Sequence, residues 1–341
     1  MTLKHRAVAR ACAAAAVLVL AGTAACDFDP VSGNGNDTGE GVFYGLGDDH
    51  KLYRWDAEAD PEEALDLSGV WEGLGDVGTV MRSSLSISPT ERYAAWISGA
   101  NPDASLEFGN LETGAISTGV EYPLDHACLD PSWLADGSAL LVHRAPVWGE
   151  SLTQGEIPLP VKTWGPTEWY SPDVGALPTT VELGEEGCRL RWYTNEDGEA
   201  EGIYHDLDVQ KLFRVNTTGD TEEIILVSSL HGTESRTIGM FDIDPTGRYV
   251  CLVDSYGPYG ALKGGFTMRA ESGTRVIDLN TGNAVQADDA SCISMHEKGF
   301  ITRDGAEVAF IDYNGKTRWE DELPATIAES PVLFYFPPKD Q

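Results

Sequence analysis

Basic residues are scarce in this chain: 23 Lys and Arg stand against 55 Asp and Glu, a formal net charge of −32. Phosphate binding relies on a basic patch, so this balance excludes nucleic acid and a charged lipid surface as partners. Long apolar runs are also missing. The longest candidate, Ala11 to Gly22, is too short to span a bilayer. No CxxC pair occurs and no cysteine has a histidine at zinc-ligand spacing, which weakens any metal reading. There is no GxSxG elbow. After the N-terminal segment, no stretch sustains i, i+3, i+4 apolar spacing with caps, which argues against a helical domain. What the chain does have is short apolar runs broken by Gly, Pro, Asn and Asp.

The N-terminus reads as a targeting segment. Lys4, Arg6 and Arg10 precede the short apolar run, and Thr23-Ala24-Ala25 places small residues before Cys26. Residues 1–25 are therefore expected to be a signal peptide. The ending resembles the lipobox of bacterial lipoproteins, which implies acylation of Cys26 and anchoring at the outer leaflet of the cell membrane. Thr23 departs from the Leu usual in that family, and the alternative is cleavage after Ala25 with Cys26 a spare thiol. The following stretch to Gly41 is rich in Gly, Asn and Asp, so residues 26–41 are expected to be a flexible tether. Removing residues 1–25 leaves 20 basic against 55 acidic residues, a net charge of −35, so membrane attachment would come through a lipid only.

A repeated phrase organises the rest. Ile87-Ser88-Pro89-Thr90-Glu91-Arg92-Tyr93 runs into Ala94-Ala95-Trp96-Ile97, and Ile243-Asp244-Pro245-Thr246-Gly247-Arg248-Tyr249 runs into Val250-Cys251-Leu252-Val253. Trp133-Leu134-Ala135-Asp136-Gly137-Ser138 runs into Ala139-Leu140-Leu141-Val142. Each is a short strand, a tight turn and a buried strand, a unit that cannot bury its own faces and must stack on copies of itself. A second element recurs as Leu111-Glu112-Thr113-Gly114, Val215 to Gly219, Ile277 to Gly282 and Ile311 to Gly315, where Asn and Gly tolerate the positive φ of a hairpin turn. Tyr53-Arg54-Trp55-Asp56 is a looser copy.

These phrases resemble the WD-type and TolB-like β-propellers, which carry one turn between strands A and B of each blade and the other between C and D. The resemblance spans most of residues 42–338. Thr90-Glu91 replaces the usual Asp-Gly, and Asn195 to Glu201 matches poorly. The expectation is an all-β, six-bladed propeller over residues 42–338, with room for a seventh blade in the third unit. Pro331 to Phe336 is an apolar strand without a unit of its own, and it is expected to close the ring as strand A of the first blade.

Four cysteines follow Cys26. In an exported chain they permit two disulfides, and Cys128–Cys188 with Cys251–Cys292 would each join consecutive repeats; four buried thiols are the alternative. Binding candidates come from two interruptions between strands B and C. The first holds Trp148, Trp164, Trp169 and Tyr170 among many prolines; the second holds Tyr256 and Tyr259. Such aromatic loops suit a partner surface, although the Trp rings could equally plug the loop onto the propeller. Acids assigned to the same rim are Asp48, Asp49, Asp103, Glu196, Asp197, Glu199 and Asp304. No cofactor is expected; Asp48, Asp49 and Asp56 are the set whose oxygens could hold Ca²⁺, at a spacing unlike an EF-hand. No catalytic residue is assigned. The sequence thus points to an exported, lipid-anchored binding or scaffold module for an envelope protein or a polar or cationic ligand. The alternative is a propeller enzyme, a glycan hydrolase or lyase, working on the same rim.

Overall fold

The computed structural model describes residues 41–72, 84–98, 105–121, 132–142, 167–173, 175–181, 191–206, 211–216, 218, 220–226, 237–255, 274–285 and 291–338. Cys26, Cys128 and Cys188 lie outside these residues, as do the expected signal peptide and tether up to residue 40.

The described strands form four-stranded antiparallel sheets, each built from strands adjacent in sequence except the first. That first sheet joins β1 (Val42–Leu46), β2 (Lys51–Trp55) and β3 (Glu62–Asp66) to the last strand of the chain, β24 (Leu333–Phe336), in the order β24-β1-β2-β3. The second holds β4 (Ser86–Ile87), β5 (Tyr93–Ser98), β6 (Ser105–Asn110) and β7 (Ile116–Glu121). The third holds β8 (Ser132–Trp133), β9 (Leu140–Val142), β10 (Thr167–Ser171) and β11 (Gly175–Val181). The fourth runs β12 (Arg191–Thr194), β13 (Ala200–Asp206), β14 (Lys211–Asn216), β15 (Thr221–Leu226). The fifth runs β16 (Thr237–Ile243), β17 (Tyr249–Ser255), β18 (Thr274–Asp278), β19 (Ala284–Val285). The sixth runs β20 (Ser291–His296), β21 (Gly299–Asp304), β22 (Glu307–Asp312), β23 (Thr317–Glu322). A short helix, α1 (Ala325–Ala328), leads from β23 toward β24. The molecule is all-β with a propeller-like arrangement.

Burial within a sheet follows strand position. The second strand β5 is buried on both faces, because each face meets a neighbouring sheet; hence its near-continuous apolar run Ala94-Ala95-Trp96-Ile97. The outermost strands β3 and β23 alternate or stay exposed and carry Glu62, Glu63, Asp66, Glu320, Asp321 and Glu322. Charge on an edge discourages pairing with another chain. Lys51 Nζ to Glu63 at 2.6 Å and Lys211 Nζ to Glu223 at 2.7 Å tie the third strand to the fourth at matching positions of the first and fourth sheets. Pro178 stands in β11, the outermost strand of its sheet, where a missing N–H is tolerated.

Each sheet packs on the next. Trp71 Nε1 donates to the Ile97 carbonyl between the first and second sheets, and Trp133 Nε1 donates to Ser86 Oγ between the third and second. Trp192, Tyr204 and Val215 gather with Ala139 and Leu134 between the third and fourth. Tyr193, Ile203 and Leu212 meet Ile243, Val250 and Leu252 between the fourth and fifth. Cys251 and Val276 meet Cys292, Met295 and Phe300 between the fifth and sixth. Ile301, Val308 and Leu323 of the sixth then pack with Phe43, Trp55, Leu333 and Tyr335 of the first. Each large apolar side chain buried in such a seam contributes about 1.5–3 kcal/mol.

The two ends of the described chain meet in the first sheet. Val42 pairs with Phe336, Phe43 with Tyr335, Tyr44 with Phe334 and Gly45 with Leu333. Phe43 lies 4.9 Å from Tyr335, 5.7 Å from Trp55 and 6.2 Å from Trp319 of β23, so one ring touches both chain ends and the sixth sheet. Arg303 donates to the carbonyls of Ala328 and Ser330, and Ser330 Oγ accepts from Leu46 N at 2.7 Å, which fixes the approach to β24.

Candidate functional site

The two ends of every sheet differ in character. Where both strands are described, first-to-second and third-to-fourth strand connections are tight turns, while second-to-third connections and links between sheets include all the long ones. Within the sheets the longest are 143–166 in the third and 256–273 in the fifth, and both join a second strand to a third; the link 67–85 between the first and second sheets is of similar length. Trp148, Trp164, Tyr256 and Tyr259 fall in these connections, outside the described residues.

Among the described residues, the tight-turn end is held together by turn chemistry. Asp244 is wholly buried; its carboxylate accepts from Thr246 N, Arg248 N at 2.8 Å and Tyr249 N at 2.6 Å. Ser88 takes the same place in the second sheet, its hydroxyl accepting from Arg92 N and Tyr93 N. In the other turn family Asn110, Asn216, Asp278 and Asp312 accept backbone N–H groups two to four residues ahead. Asx side chains mimic backbone in this way, which explains why the motif demands Asp or Asn at the last strand residue. The Lys316 amide, together with Asn314 N and the Arg318 guanidinium, holds the Asp312 carboxyl below the usual carboxylate range. Hydrogen bonding to Arg248 does the same for Asp278.

Tyrosine, acid and arginine recur together at the seams. Tyr44 donates to Glu91 of the next sheet at 3.3 Å, beside Arg54; burial first and then Glu91 push its hydroxyl up to about 12. Tyr93 donates to Asp173 of the third sheet at 2.7 Å, and Arg92 lies 3.5 Å from the same carboxylate. Tyr193 donates to Glu201 and accepts from Arg214 Nε at 2.8 Å, and its hydroxyl is raised chiefly by burial. Tyr249 stacks on Tyr313 of the sixth sheet at 3.6 Å, while Arg248 lies 4.9 Å over the Tyr249 ring. These hydroxyls stay protonated at neutral pH; those of Tyr44 and Tyr93 bridge neighbouring sheets, and that of Tyr193 ties β12 to β13 and β14 of its own sheet.

Two clefts open at this end. One of about 280 Å³ lies between the fifth and sixth sheets and is lined by Tyr249, Asp278, Asn283, Tyr313 and Asn314. The other, about 400 Å³, lies where the chain ends meet and is lined by Val42, Tyr44, Arg54, Glu91, Pro337 and Pro338. The first sheet lacks the turn that its counterparts have between first and second strands, because its first strand comes from the far end of the chain.

Several sequence expectations change here. Trp169 and Tyr170 belong to strand β10, not to a loop; Tyr170 is buried in the core shared with the second sheet. In the sequence the insertion and the strand form one aromatic run, and only the ladder of β10 with β9 separates them. Glu196, Asp197 and Glu199 lie in the tight turn between β12 and β13, at the end of the sheet opposite the long connections; Asn195 Oδ1 accepts from Asp197 N and Glu199 N. Asp48 and Asp49 precede β2 and Asp56 follows it, so an extended five-residue strand separates them by roughly 16 Å and they cannot share an ion. Asp49 instead accepts from Tyr53 at 2.7 Å, and Asp56 from Arg54. Cys251 and Cys292 both lie buried, as free thiols, in the apolar cluster between the fifth and sixth sheets. The tyrosine contacts were not anticipated; their signal was the Arg-Tyr pair that follows the turn in Arg92-Tyr93 and again in Arg248-Tyr249.

No protein-family model matches the chain, and no curated protein matches it by sequence. Solved structures do. TolB from Acinetobacter baumannii superposes with a TM-score of 0.50 at 14% identity, over 89% of this chain and 68% of that one. A chain of the nidogen/laminin complex matches with a TM-score of 0.50 at 9% identity, over 86% of this chain and 97% of that one. At such identities the likeness concerns fold alone: the chain has a β-propeller fold similar to that of TolB.

Proposed function

We propose that the chain is an exported, lipid-anchored binding module: residues 1–25 a signal peptide, 26–41 a tether from an acylated Cys26, and 42–338 a six-bladed ring closed by β24. What carries this is the asymmetry of the sheets. Every long connection leaves one end, while the other end consists of turns that satisfy themselves. Loops on a rigid scaffold are where binding surfaces are usually built. The sequence of the two longest connections within sheets supplies Trp148, Trp164, Tyr256 and Tyr259, flat amphipathic side chains of the kind that anchor protein partners. The matched chain from the nidogen/laminin complex supports use of this fold in protein–protein association.

The strand pairing adds an orientation. The chain enters β1 at Val42, beside Phe336 and at the tight-turn end. A tether from Cys26 would hold that end toward the lipid and present the long connections outward. The strongly acidic composition favours a polar or cationic partner and disfavours direct contact with anionic headgroups. Among the described residues, no helix is long and apolar enough to cross a membrane.

The test is capture from envelope extracts by the intact protein and by a variant lacking Gly149–Gly165. A partner retained by the intact chain and lost by a deletion variant that still unfolds cooperatively supports the module. Capture unchanged by the deletion removes it. Turnover of a glycan that depends on the same deletion would favour the enzyme alternative instead. Mass spectrometry of the mature N-terminus tests the anchor: an unmodified thiol on Cys26 overturns it.

A further inference from the structure

Cys251 sits in β17, the second strand of the fifth sheet, and Cys292 in β20, the first strand of the sixth. Both belong to the apolar cluster that joins these sheets, with Val276, Met295 and Phe300, and they expose 0% and 2% of their surface. The two thiols are neighbours in this cluster, and Cys292 Sγ lies 3.6 Å from Met295 Sδ. Three sulfurs thus meet in one seam. Two neighbouring thiols on different sheets are placed where one covalent bond would join the sheets.

We propose that Cys251 and Cys292 close to a disulfide that staples the fifth sheet to the sixth, and that the bond forms before these two sheets pack. The chemistry is thiol–disulfide exchange. The thiolate of one cysteine attacks an oxidant of the disulfide class, either a protein disulfide oxidoreductase or oxidised glutathione, and one oxidant sulfur leaves as a thiol. The second cysteine attacks the mixed disulfide, the Cys251–Cys292 bond forms and the other oxidant sulfur leaves. Two protons pass from the cysteines, and two electrons reduce the oxidant to its dithiol form. The order follows from burial. Once the seam is packed, no oxidant of this size reaches either sulfur, and burial pushes both thiols up, away from the reactive thiolate. A staple across this seam encloses the segment from Cys251 to Cys292, which contains the long connection 256–273. The stapled loop confines that connection's ends in the unfolded chain as well as in the folded one.

The experiment refolds the full chain from denaturant in two arms, one in a glutathione redox buffer and one in reductant with oxidised glutathione added only after folding. Each sample is alkylated under denaturing conditions, digested without reduction and read by mass spectrometry. The expected result is a Cys251–Cys292 linked peptide, two hydrogens lighter than the sum of its halves, in the first arm and not in the second. Alkylated Cys251 and Cys292 in both arms, or pairing of either with Cys128 or Cys188, overturns the staple. A linked peptide in both arms overturns the stated order. As a second readout, reductant should lower the thermal midpoint of the oxidatively refolded wild type by several degrees more than that of a Cys251→Ala/Cys292→Ala variant. An equal response of the two proteins overturns a stabilising role.

Discussion

At the scale of single residues, the acids of the turn motifs are structural ligands of the backbone. Asp244 satisfies three amide donors and the Thr246 hydroxyl while wholly buried. Replacing it by Ala leaves those donors unpaired in the interior, so Asp244→Ala should cost about 2–3 kcal/mol in urea unfolding without changing the slope of the transition. The motif made this legible: Ser88 and Asp244 occupy equal places in two copies, and both do the same work. His296 was not legible. Its Nε2 is enclosed without a partner among the described residues, against the rings of Tyr335 and Phe310, and burial pulls it down to about 3. The unfolded chain takes up a proton there near pH 6.5, so between about 6.5 and 3 the unfolded state binds more protons and stability falls as pH falls. Since the residue as a whole is only partly buried, the loss should be on the order of 2 kcal/mol. A His296→Phe variant should flatten the stability profile between pH 6.5 and 4.5, above the range where the turn carboxylates titrate. An unchanged profile would assign the acid sensitivity elsewhere.

At the scale of strands and turns, the sequence departures acquire physical reasons. Glu91 stands where the resemblance has Gly, and it adopts φ 56°, a conformation costly for any residue with a Cβ. Its contact with Tyr44 across the seam is what Gly could not supply. Glu91→Ala loses the contact and keeps the strain; Glu91→Gly loses both. The Gly variant should therefore be the more stable of the two by about 1 kcal/mol in denaturant melts. Gly299 gives the opposite case. A Cβ there would lie 2.3 Å from the Ile311 carbonyl oxygen and 2.9 Å from Asp312 Cα, backbone of its partner strand β22. Gly299→Ala should cost about 1–3 kcal/mol because neither strand can yield without breaking its ladder. Strand order and the tight turns were readable from period and Gly/Asn placement. The third sheet was not, because Trp169 and Tyr170 continue an aromatic, proline-rich run with no turn signal to separate strand from insertion. Glu196 to Glu199 were misplaced for a related reason: Asn195 caps its turn from the same position as Asp244, but Glu196 stands where that copy has Pro245 and no Arg-Tyr pair follows.

At the scale of the whole molecule, the sheets form a chain of seams in which the sixth packs on the first. Without β24 the first sheet would expose the inner edge of β1, and Phe43 would lose Tyr335. Tyr335→Ala should cost about 3 kcal/mol, since it empties a buried site shared by Phe43, Trp319 and His296. The lone apolar strand at the end of the sequence announced this pairing because no neighbouring unit could take it. The proposed binding rim is legible only as composition, in the aromatic and proline-rich insertions.

Closure of the ring is the claim on which the orientation, the seams and the presented loops all depend. Urea unfolding of the full chain beside a chain ending at Ser330 tests it most directly. The closed ring predicts one cooperative transition for the full chain and a large loss of midpoint and cooperativity once β24 is removed. Superimposable transitions for the two chains would contradict it.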